Sequence, residues 1–206
     1  MARALTAPDF RLFLGKSGSG KSSLMRFQAA GAARVLIHDP NGESAWAQCG
    51  AIIADRAGLA RAMMAPRFAI VWRGAQAARG DQDAVAAFEF ANRCALAAGG
   101  CLVLWDEVDR FVTPGRLPPA AYEMVNAGRH RGCRVFAASR RVRRVSRDLS
   151  ANAGRIMIAR MTEPSDLAWV KGTMGAEAAA QAPRLAPFHF LDWRETETRI
   201  KKAPFR

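Results

Sequence analysis

The residues Phe10 to Ser23, FRLFLGKSGSGKSS, contain the stretch that decides the fold. Within it Gly15 to Ser22 spells GKSGSGKS, which matches the pattern GxxxxGK[ST] at every fixed position. An apolar run leads into this loop and a helix-like segment leaves it, and that context separates a phosphate-binding loop from a flexible turn rich in Gly and Ser. The stretch therefore predicts a P-loop, with a nucleoside triphosphate as its ligand.

Each residue type in the loop has a physical task. The glycines let backbone N–H groups turn inward around phosphate oxygens, and the following helix points its positive end at the same charge. We expect Lys21 to reach the β- and γ-phosphates of ATP and Ser22 to ligate Mg²⁺. The predicted nucleotide-binding set from this loop is Gly15, Lys16, Ser17, Gly18, Ser19, Gly20, Lys21, Ser22 and Ser23, the last beside the α-phosphate.

The second motif is the segment CLVLWDEVDR, which begins at Cys101 and contains acidic residues in its second half. Its apolar half predicts a buried strand that delivers Asp106 and Glu107 beside the P-loop, because ligands bind at the carboxyl ends of parallel strands. Asp106 is expected to hold Mg²⁺ through a water, and Glu107 to orient and deprotonate the attacking water. The alternative is a solvated loop with acidic residues placed by chance. Asp109 is assigned no catalytic role.

Short apolar runs alternate with helix-like stretches, which is typical of α/β proteins with a parallel sheet. We expect a P-loop NTPase (RecA-like) core in a single domain, residues 1–193, with a mobile basic tail at residues 194–206. Strands are predicted at Phe10 to Leu14, Arg34 to His38, Phe68 to Trp72, Cys101 to Trp105, Arg134 to Ala138 and Arg155 to Ala159, with Phe188 to Trp193 as an edge strand. Helices are predicted at Lys21 to Ala30, Asp83 to Ala98, Pro119 to His130 and Pro164 to Thr173.

Composition fits one cytosolic domain that handles a polyanion. The chain has 206 residues, which suffice for one hydrophobic core, and its four cysteines show no CxxC pairing. The formal net charge of +13 attracts nucleic acid, although the predominance of arginine over lysine can also reflect a GC-rich genome. No apolar run approaches the roughly 18 residues of a membrane span, and Met1 to Pro8 is too short and polar for a signal peptide. We expect no stable membrane insertion.

Beyond these two elements, three further segments resemble the FtsK/HerA superfamily of DNA-pumping ATPases. The resemblance is to the small genome-packaging ATPases of membrane-containing tailless viruses. IHDPNGE (Ile37 to Glu43) is similar to the family's second strand and DP-x-G turn. Gly128 to Ser139 is similar to its RxxG turn and following strand, and Arg144 to Lys171 to its helix-strand-helix region.

The resemblance implies an ATP-driven motor that moves double-stranded DNA into a viral capsid. It implies a homo-oligomeric ring, expected to be a hexamer, that docks on a capsid vertex or portal component. The place of action would be the host cytoplasm and the virion. It also implies that Arg129, which opens the RxxG turn, is a catalytic arginine finger for the neighbouring subunit's site. The alternative for Arg129 is a solvated basic helix end, with Arg131 as the other candidate finger.

One departure from the family concerns the sensor of the γ-phosphate. The family places a glutamine after the strand that follows RxxG, whereas this sequence reads Ala138, Ser139, Arg140, Arg141. Arg140 takes the matching position and is a candidate phosphate ligand, since guanidinium groups bind phosphate well. It could instead face DNA, and Ser139 is the other polar candidate.

Two basic clusters could track a DNA backbone, or be solvated or intersubunit surface. One consists of Arg140, Arg141, Arg143, Arg144 and Arg147, and the other of Lys201, Lys202 and Arg206.

Two other enzyme classes remain open. One is a P-loop kinase, although Glu107 beside Asp106 suits activation of water better than transfer to an acceptor. The other is a nucleotide-dependent assembly ATPase resembling filamentous-phage morphogenesis factors.

Overall fold

The protein folds around a mostly parallel, nine-stranded sheet flanked by helices. The computed structural model describes residues 10–194 and 197–205. Strand order is β3-β4-β2-β5-β6-β1-β7-β8-β9, and all neighbouring pairs are parallel except β7 with β8 and β8 with β9. The strands are β1 Phe10–Leu14, β2 Arg34–His38, β3 Ala51–Ile53, β4 Phe68–Trp72, β5 Leu102–Trp105, β6 Arg134–Ser139, β7 Arg155–Ile158, β8 His189–Arg194 and β9 Glu197–Lys202.

Eight helices cover both faces of the sheet in the described part of the chain. Along β1, Leu12 and Leu14 pack with α3 to α8 on one face, whereas Phe13 packs with α1 and α2 on the other. Side chains on the two faces of one strand thus contribute to two separate hydrophobic cores, as expected for a sheet buried on both sides. The helices are α1 Lys21–Ala29, α2 Ser44–Ala47, α3 Arg56–Ala62, α4 Asp81–Ala98, α5 Pro119–Ala127, α6 Arg147–Asn152, α7 Pro164–Met174 and α8 Ala176–Gln181.

The α/β class is confirmed, and the strands predicted before residue 160 and the four predicted helices are all present. Their bounds agree to within one or two residues, except that α5 ends at Ala127 and continues as a 3-10 turn over Gly128–Arg131. Elements missed by the sequence analysis are short. β3 has three residues, α2 has four, α8 has six and α3 has seven, too few to show a clear hydrophobic period.

The structure corrects the expectation for the end of the chain. We expected a mobile tail over residues 194–206, but Glu197–Lys202 form β9 and pair antiparallel with β8. β8 is therefore an inner strand, and β9 is the edge. The Lys201 Nζ donates to a carboxylate oxygen of the buried Asp192, 2.6 Å away, so the basic segment compensates a buried charge. Arg206 lies outside the described residues.

The strand order brings four carboxyl ends together. β2, β5, β6 and β1 are consecutive neighbours in the sheet and all run parallel. Asp39, Asp106, Arg140 and Gly15 directly follow these four strands, so their side chains or backbone meet at one edge. That edge is where α/β proteins bind their ligands. Within residues 10–194 and 197–205, no helix combines the length and the apolar character needed to cross a membrane.

His38, the last residue of β2, is buried among aromatic rings. Its imidazole makes edge-on contacts with the rings of Phe88 and Phe111, with centroids 4.9 and 4.8 Å away. Neither ring nitrogen has a hydrogen-bond partner among the described residues. Burial, reinforced by the nearby charge of Arg110, lowers the pKa of His38 to about 3. The native protein therefore holds this histidine neutral at every physiological pH.

We predict that His38 makes the protein acid-sensitive. Its folded pKa lies below the ordinary value of 6.5, so between these two values the unfolded chain binds the extra proton, and stability falls as the pH falls through this window. From pH 7 to pH 5 this one group should remove about 2 kcal/mol from the free energy of unfolding. In urea unfolding, His38→Phe should lose that much less than wild type over the same pH step. The exposed His130→Gln should behave as wild type, and equal pH dependence of His38→Phe and wild type would contradict the assignment.

Candidate nucleotide-binding site

The P-loop backbone is held in a shape that favours glycine, and at two of its glycines a side chain would also collide with a neighbour. Gly15 has φ +151° and Gly20 has φ +89°. A Cβ on Gly15 would lie 2.7 Å from the Ala159 Cβ, and one on Gly20 would lie 2.9 Å from the ring of Phe188. The Gly15 N–H donates to the Ser139 carbonyl, 3.2 Å away, so the loop is fastened to β6 as it leaves β1. Any side chain at Gly15 or Gly20 would thus push the loop off its neighbours.

Helix α1 presents its positive end to the cleft. Its N-cap is Gly20, which has no side chain to accept from the first-turn N–H groups, and no acidic residue occurs in that turn. These N–H groups and the helix dipole form a ready site for an anion. The local sequence thus builds the phosphate-binding end of the helix that its pattern predicts.

Lys21 is buried with its charge incompletely compensated. Its side chain is 8% exposed, and its Nζ donates to the Lys16 carbonyl at 2.9 Å. Burial lowers the pKa of Lys21, and the carboxylate of Asp106 partly offsets this effect. An anion in the cleft would restore the charge compensation that burial removes. This environment suits a lysine whose task is to bind phosphate.

Ser22 and Asp106 meet across the cleft. The Ser22 hydroxyl lies 3.4 and 3.3 Å from the two carboxylate oxygens of Asp106. Burial raises the pKa of Asp106, while the hydrogen bond from the Trp46 indole N–H, at 2.6 Å, works in the opposite direction. A buried carboxylate beside a hydroxyl offers the hard oxygen ligands that Mg²⁺ prefers, and a bound cation would compensate the charge of this carboxylate. The residues therefore fit a Mg²⁺ site.

Glu107 has an unusual backbone and a charged partner. Its φ of +47° lies in the left-handed region, which is uncommon for a residue other than glycine. Its carboxylate forms an ion pair with the Arg140 guanidinium, which enters from the end of β6. Strained backbone of this kind concentrates at functional sites. The pairing puts Arg140 in the cleft beside the carboxylate expected to act on water.

Glu43 adds a third carboxylate that the sequence analysis did not assign to the site. It follows β2 and lines the same cleft as Asp106 and Glu107. Burial raises the pKa of Glu43, and the neighbouring negative charge of Asp106 raises it further. Its backbone N–H donates to Asp39 at 3.1 Å, and Asp39 in turn pairs with Arg73 at 2.9 Å. The available signal was the position of Glu43, just beyond a strand that ends at the ligand-binding edge.

Most of the predicted site residues lie around one cleft of about 260 Å³. Gly15, Lys16 and Ser19 belong to the loop that forms its wall but do not line it. The Lys16 Nζ instead donates to the Thr162 hydroxyl, 3.1 Å away. The predicted residues that line the cleft are Ser17, Gly18, Gly20, Lys21, Ser22, Ser23, Asp106, Glu107 and Arg140, together with Ser139, the other polar candidate after β6.

Arg129 lies at the other end of the sheet. It belongs to the 3-10 turn that precedes β6 and is exposed, beside a separate cavity lined by Phe10 and Arg134 at the amino ends of their strands. β6 spans six residues, so roughly 20 Å of strand separates Arg129 from the cleft at the other end. Arg129 is therefore outside its own subunit's nucleotide cleft.

The fold is similar to those of three proteins of known structure. The genome packaging NTPase B204 of Sulfolobus turreted icosahedral virus 2, in complex with ATP-gammaS, superposes with a TM-score of 0.76 at 20% identity, covering 96% of this chain and 98% of that one. VirB4 of Thermoanaerobacter pseudethanolicus gives 0.68 at 13%, covering 95% and 89%. The bacterial conjugative coupling protein TrwB gives 0.66 at 13%, covering 97% and 85%. The chain shares the fold of these three proteins over nearly its whole length.

At the level of fold, these comparisons confirm the resemblance carried by the segments after the P-loop. The sequence matches no family model, and a comparison with characterised proteins also finds no match. The likeness therefore lies in the arrangement of strands and helices, with little identity in sequence.

Two cleft-side aromatic residues also escaped the sequence analysis. Trp46 is completely buried and donates to Asp106, yet no motif near it indicates a site. Phe188 was assigned to an edge strand, but it precedes β8 and its ring lies against the P-loop. Only tertiary contacts bring these two residues to the cleft, so a local pattern could not have found them.

Proposed function

We propose that the protein is an ATP-hydrolysing translocase of double-stranded DNA that packages a viral genome into a capsid as an oligomeric ring. The observation that carries the proposal is the meeting of Lys21, Ser22, Asp106 and Glu107 at one cleft. The similarity of the whole fold to a genome packaging NTPase supports genome packaging as the process that hydrolysis drives. The net charge of +13 supports a polyanionic partner.

The cleft divides hydrolysis among its residues. The loop N–H groups and Lys21 bind the β- and γ-phosphates, and Ser22 and Asp106 are the residues that would hold Mg²⁺. When bound, Mg²⁺ supplies positive charge to the phosphate oxygens. Glu107 orients a water molecule and accepts its proton as the water oxygen attacks the γ-phosphorus. The bond between the γ-phosphorus and the β,γ-bridging oxygen breaks, so that ADP leaves with this oxygen and inorganic phosphate is released, and this cycle drives movement along DNA.

Arg140 is the candidate for the γ-phosphate sensor. It stands where the resembling family places a glutamine, and its guanidinium pairs with the carboxylate of Glu107. A γ-phosphate would compete with Glu107 for this guanidinium, because phosphate and carboxylate suit the same planar donor set. We infer that the incoming nucleotide draws Arg140 away and frees Glu107 to act on water.

The surface after β6 is the candidate DNA-binding surface. Of its five arginines, Arg140 pairs with Glu107, and Arg141 lies 3.1 Å from Asp166. The other three side chains are exposed and form no salt bridge within residues 10–194 and 197–205. Charges of this kind bind phosphates without reading bases, which suits a motor that moves along any sequence. The three are Arg143, Arg144 and Arg147, and we call them the arginine surface.

The position of Arg129 supports an assembly in which subunits complete one another's sites. It lies far from its own cleft and is exposed, so it can contribute to hydrolysis only in a neighbouring subunit. A ring of identical subunits, proposed as a hexamer, provides that geometry at every site. The ring would act at a capsid vertex or portal component, in the host cytoplasm and the virion.

We predict that duplex DNA stimulates ATP hydrolysis and that the arginine surface carries the effect. Replacing Arg143, Arg144 and Arg147 with alanine should weaken DNA binding roughly 10-fold or more at moderate salt and flatten its salt dependence. The control variant changes Arg61, Arg67 and Arg79, three exposed arginines elsewhere, to alanine and should keep wild-type stimulation. Hydrolysis rates with and without DNA are measured alongside the mass of the assembly. A monomer whose hydrolysis ignores DNA would contradict the proposal.

We predict that Arg129→Ala lowers ATP turnover by roughly 10³-fold while leaving nucleotide affinity unchanged, because a trans-acting arginine stabilises charge in the transition state. Steady-state rates and equilibrium titration separate the two quantities. Arg131→Ala is the companion variant, since Arg131 is also exposed and lies 3.3 Å from Glu123. Normal turnover in Arg129→Ala with slow turnover in Arg131→Ala would transfer the role to Arg131. Normal turnover in both variants would exclude a finger at this turn.

A further inference from the structure

Phe188 lies in the nucleotide cleft without a task in the proposed hydrolysis. It lines the same cleft as the P-loop residues and the two carboxylates after β5. Its side chain is 40% exposed, and Gly20 lies directly against the ring. Single exposed apolar side chains are common on protein surfaces, so the feature that distinguishes Phe188 is its place in the lining of this cleft. The ring is thus placed where a nucleotide held by the P-loop can reach it.

The backbone of Phe188 adopts a strained, left-handed conformation, and this conformation places the ring at the cleft. Residues Ala186 to His189 form a tight turn, closed by a hydrogen bond from the His189 N–H to the Ala186 carbonyl at 3.1 Å. Pro187 occupies the second position, and Phe188 occupies the third with φ +59°. Turns of this type favour Gly or Asn at the third position, because a Cβ is disfavoured there. A phenylalanine in such a place points to a function of its side chain.

Contacts on both sides fix the ring. The Phe188 carbonyl accepts from the Ala203 N–H at 2.8 Å, which ties the turn to the chain just after β9. Phe205 packs its ring edge-to-face against Phe188, with the centroids 6.2 Å apart, and is itself packed against the core. These contacts therefore hold the ring in a fixed position beside the N-terminal end of α1.

We propose that Phe188 stacks on the nucleobase of the nucleotide whose phosphates the P-loop binds. This inference rests on the proposed nucleotide-binding function. The loop N–H groups and Lys21 meet the charged part of the ligand, and the flat, weakly polar base requires a different kind of surface. An aromatic face meets this need and accepts any base, because every base has a π-face. Phe188 therefore contributes affinity for nucleosides over bare polyphosphate, and it favours ATP and GTP alike.

The test compares ligands with and without a base. Calorimetric titration of Phe188→Ala should show ATP binding weakened about 10-fold relative to wild type, with GTP weakened by a similar factor. Inorganic tripolyphosphate, which has the phosphates without the base, should bind the variant and wild type equally. Phe188→Tyr should restore ATP affinity. Tyr122→Ala, which removes an aromatic ring exposed elsewhere, should leave all three ligands unaffected.

A second variant separates stacking from packing. Asn tolerates the left-handed conformation, so Phe188→Asn should melt at or above the temperature of wild type while losing ATP affinity as Phe188→Ala does. A lower melting temperature of Phe188→Asn, together with equal losses for ATP and tripolyphosphate, would assign the ring to support of the P-loop and overturn the proposal. Unchanged ATP affinity in Phe188→Ala would overturn it as well. Wild-type protein that binds neither ATP nor tripolyphosphate would overturn the nucleotide-binding function itself.

Discussion

The approach of the Ser22 hydroxyl to the Asp106 carboxylate is the contact on which the site depends. Ser22 lies in the first turn of α1, which follows β1, and Asp106 follows β5, with β6 lying between these two strands. The contact therefore requires three parallel strands to end at the same level. A slip of one residue would move one partner by about 3.3 Å and separate the two oxygen atoms. The hydrogen bond from Trp46 fixes the carboxylate from the other side.

The electrostatics of the cleft follow from this enforced proximity. Burial lowers the pKa of Lys21 and raises the pKa values of Asp106 and Glu43, so each group lies in a place that disfavours its own charge. Such an arrangement stores unfavourable energy in the free protein. A phosphate chain and a divalent cation bring charges of the opposite sign to these groups. The cleft is thus shaped to gain most from a ligand that carries both.

The sequence predicts the parts of the site that depend on local patterns. A fixed glycine spacing identified the P-loop, and an apolar run ending in two acidic residues identified Asp106 and Glu107. The position of Arg140 came from the resemblance, but its ion pair with Glu107 depends on how β6 lies beside β5. The position of Phe188 at the cleft and the formation of β9 could not be predicted from local patterns for the same reason. Both acquire their roles from pairing between segments that have no distinctive pattern alone.

The central claim is that this cleft hydrolyses ATP with Glu107 as the residue that activates water. The most direct test measures ATP affinity and single-turnover hydrolysis for wild type and Glu107→Gln, because the amide keeps the size of the side chain but cannot accept the proton. The account predicts near-equal affinity and hydrolysis slower by about 100-fold or more in the variant. Hydrolysis by Glu107→Gln at the wild-type rate would contradict it.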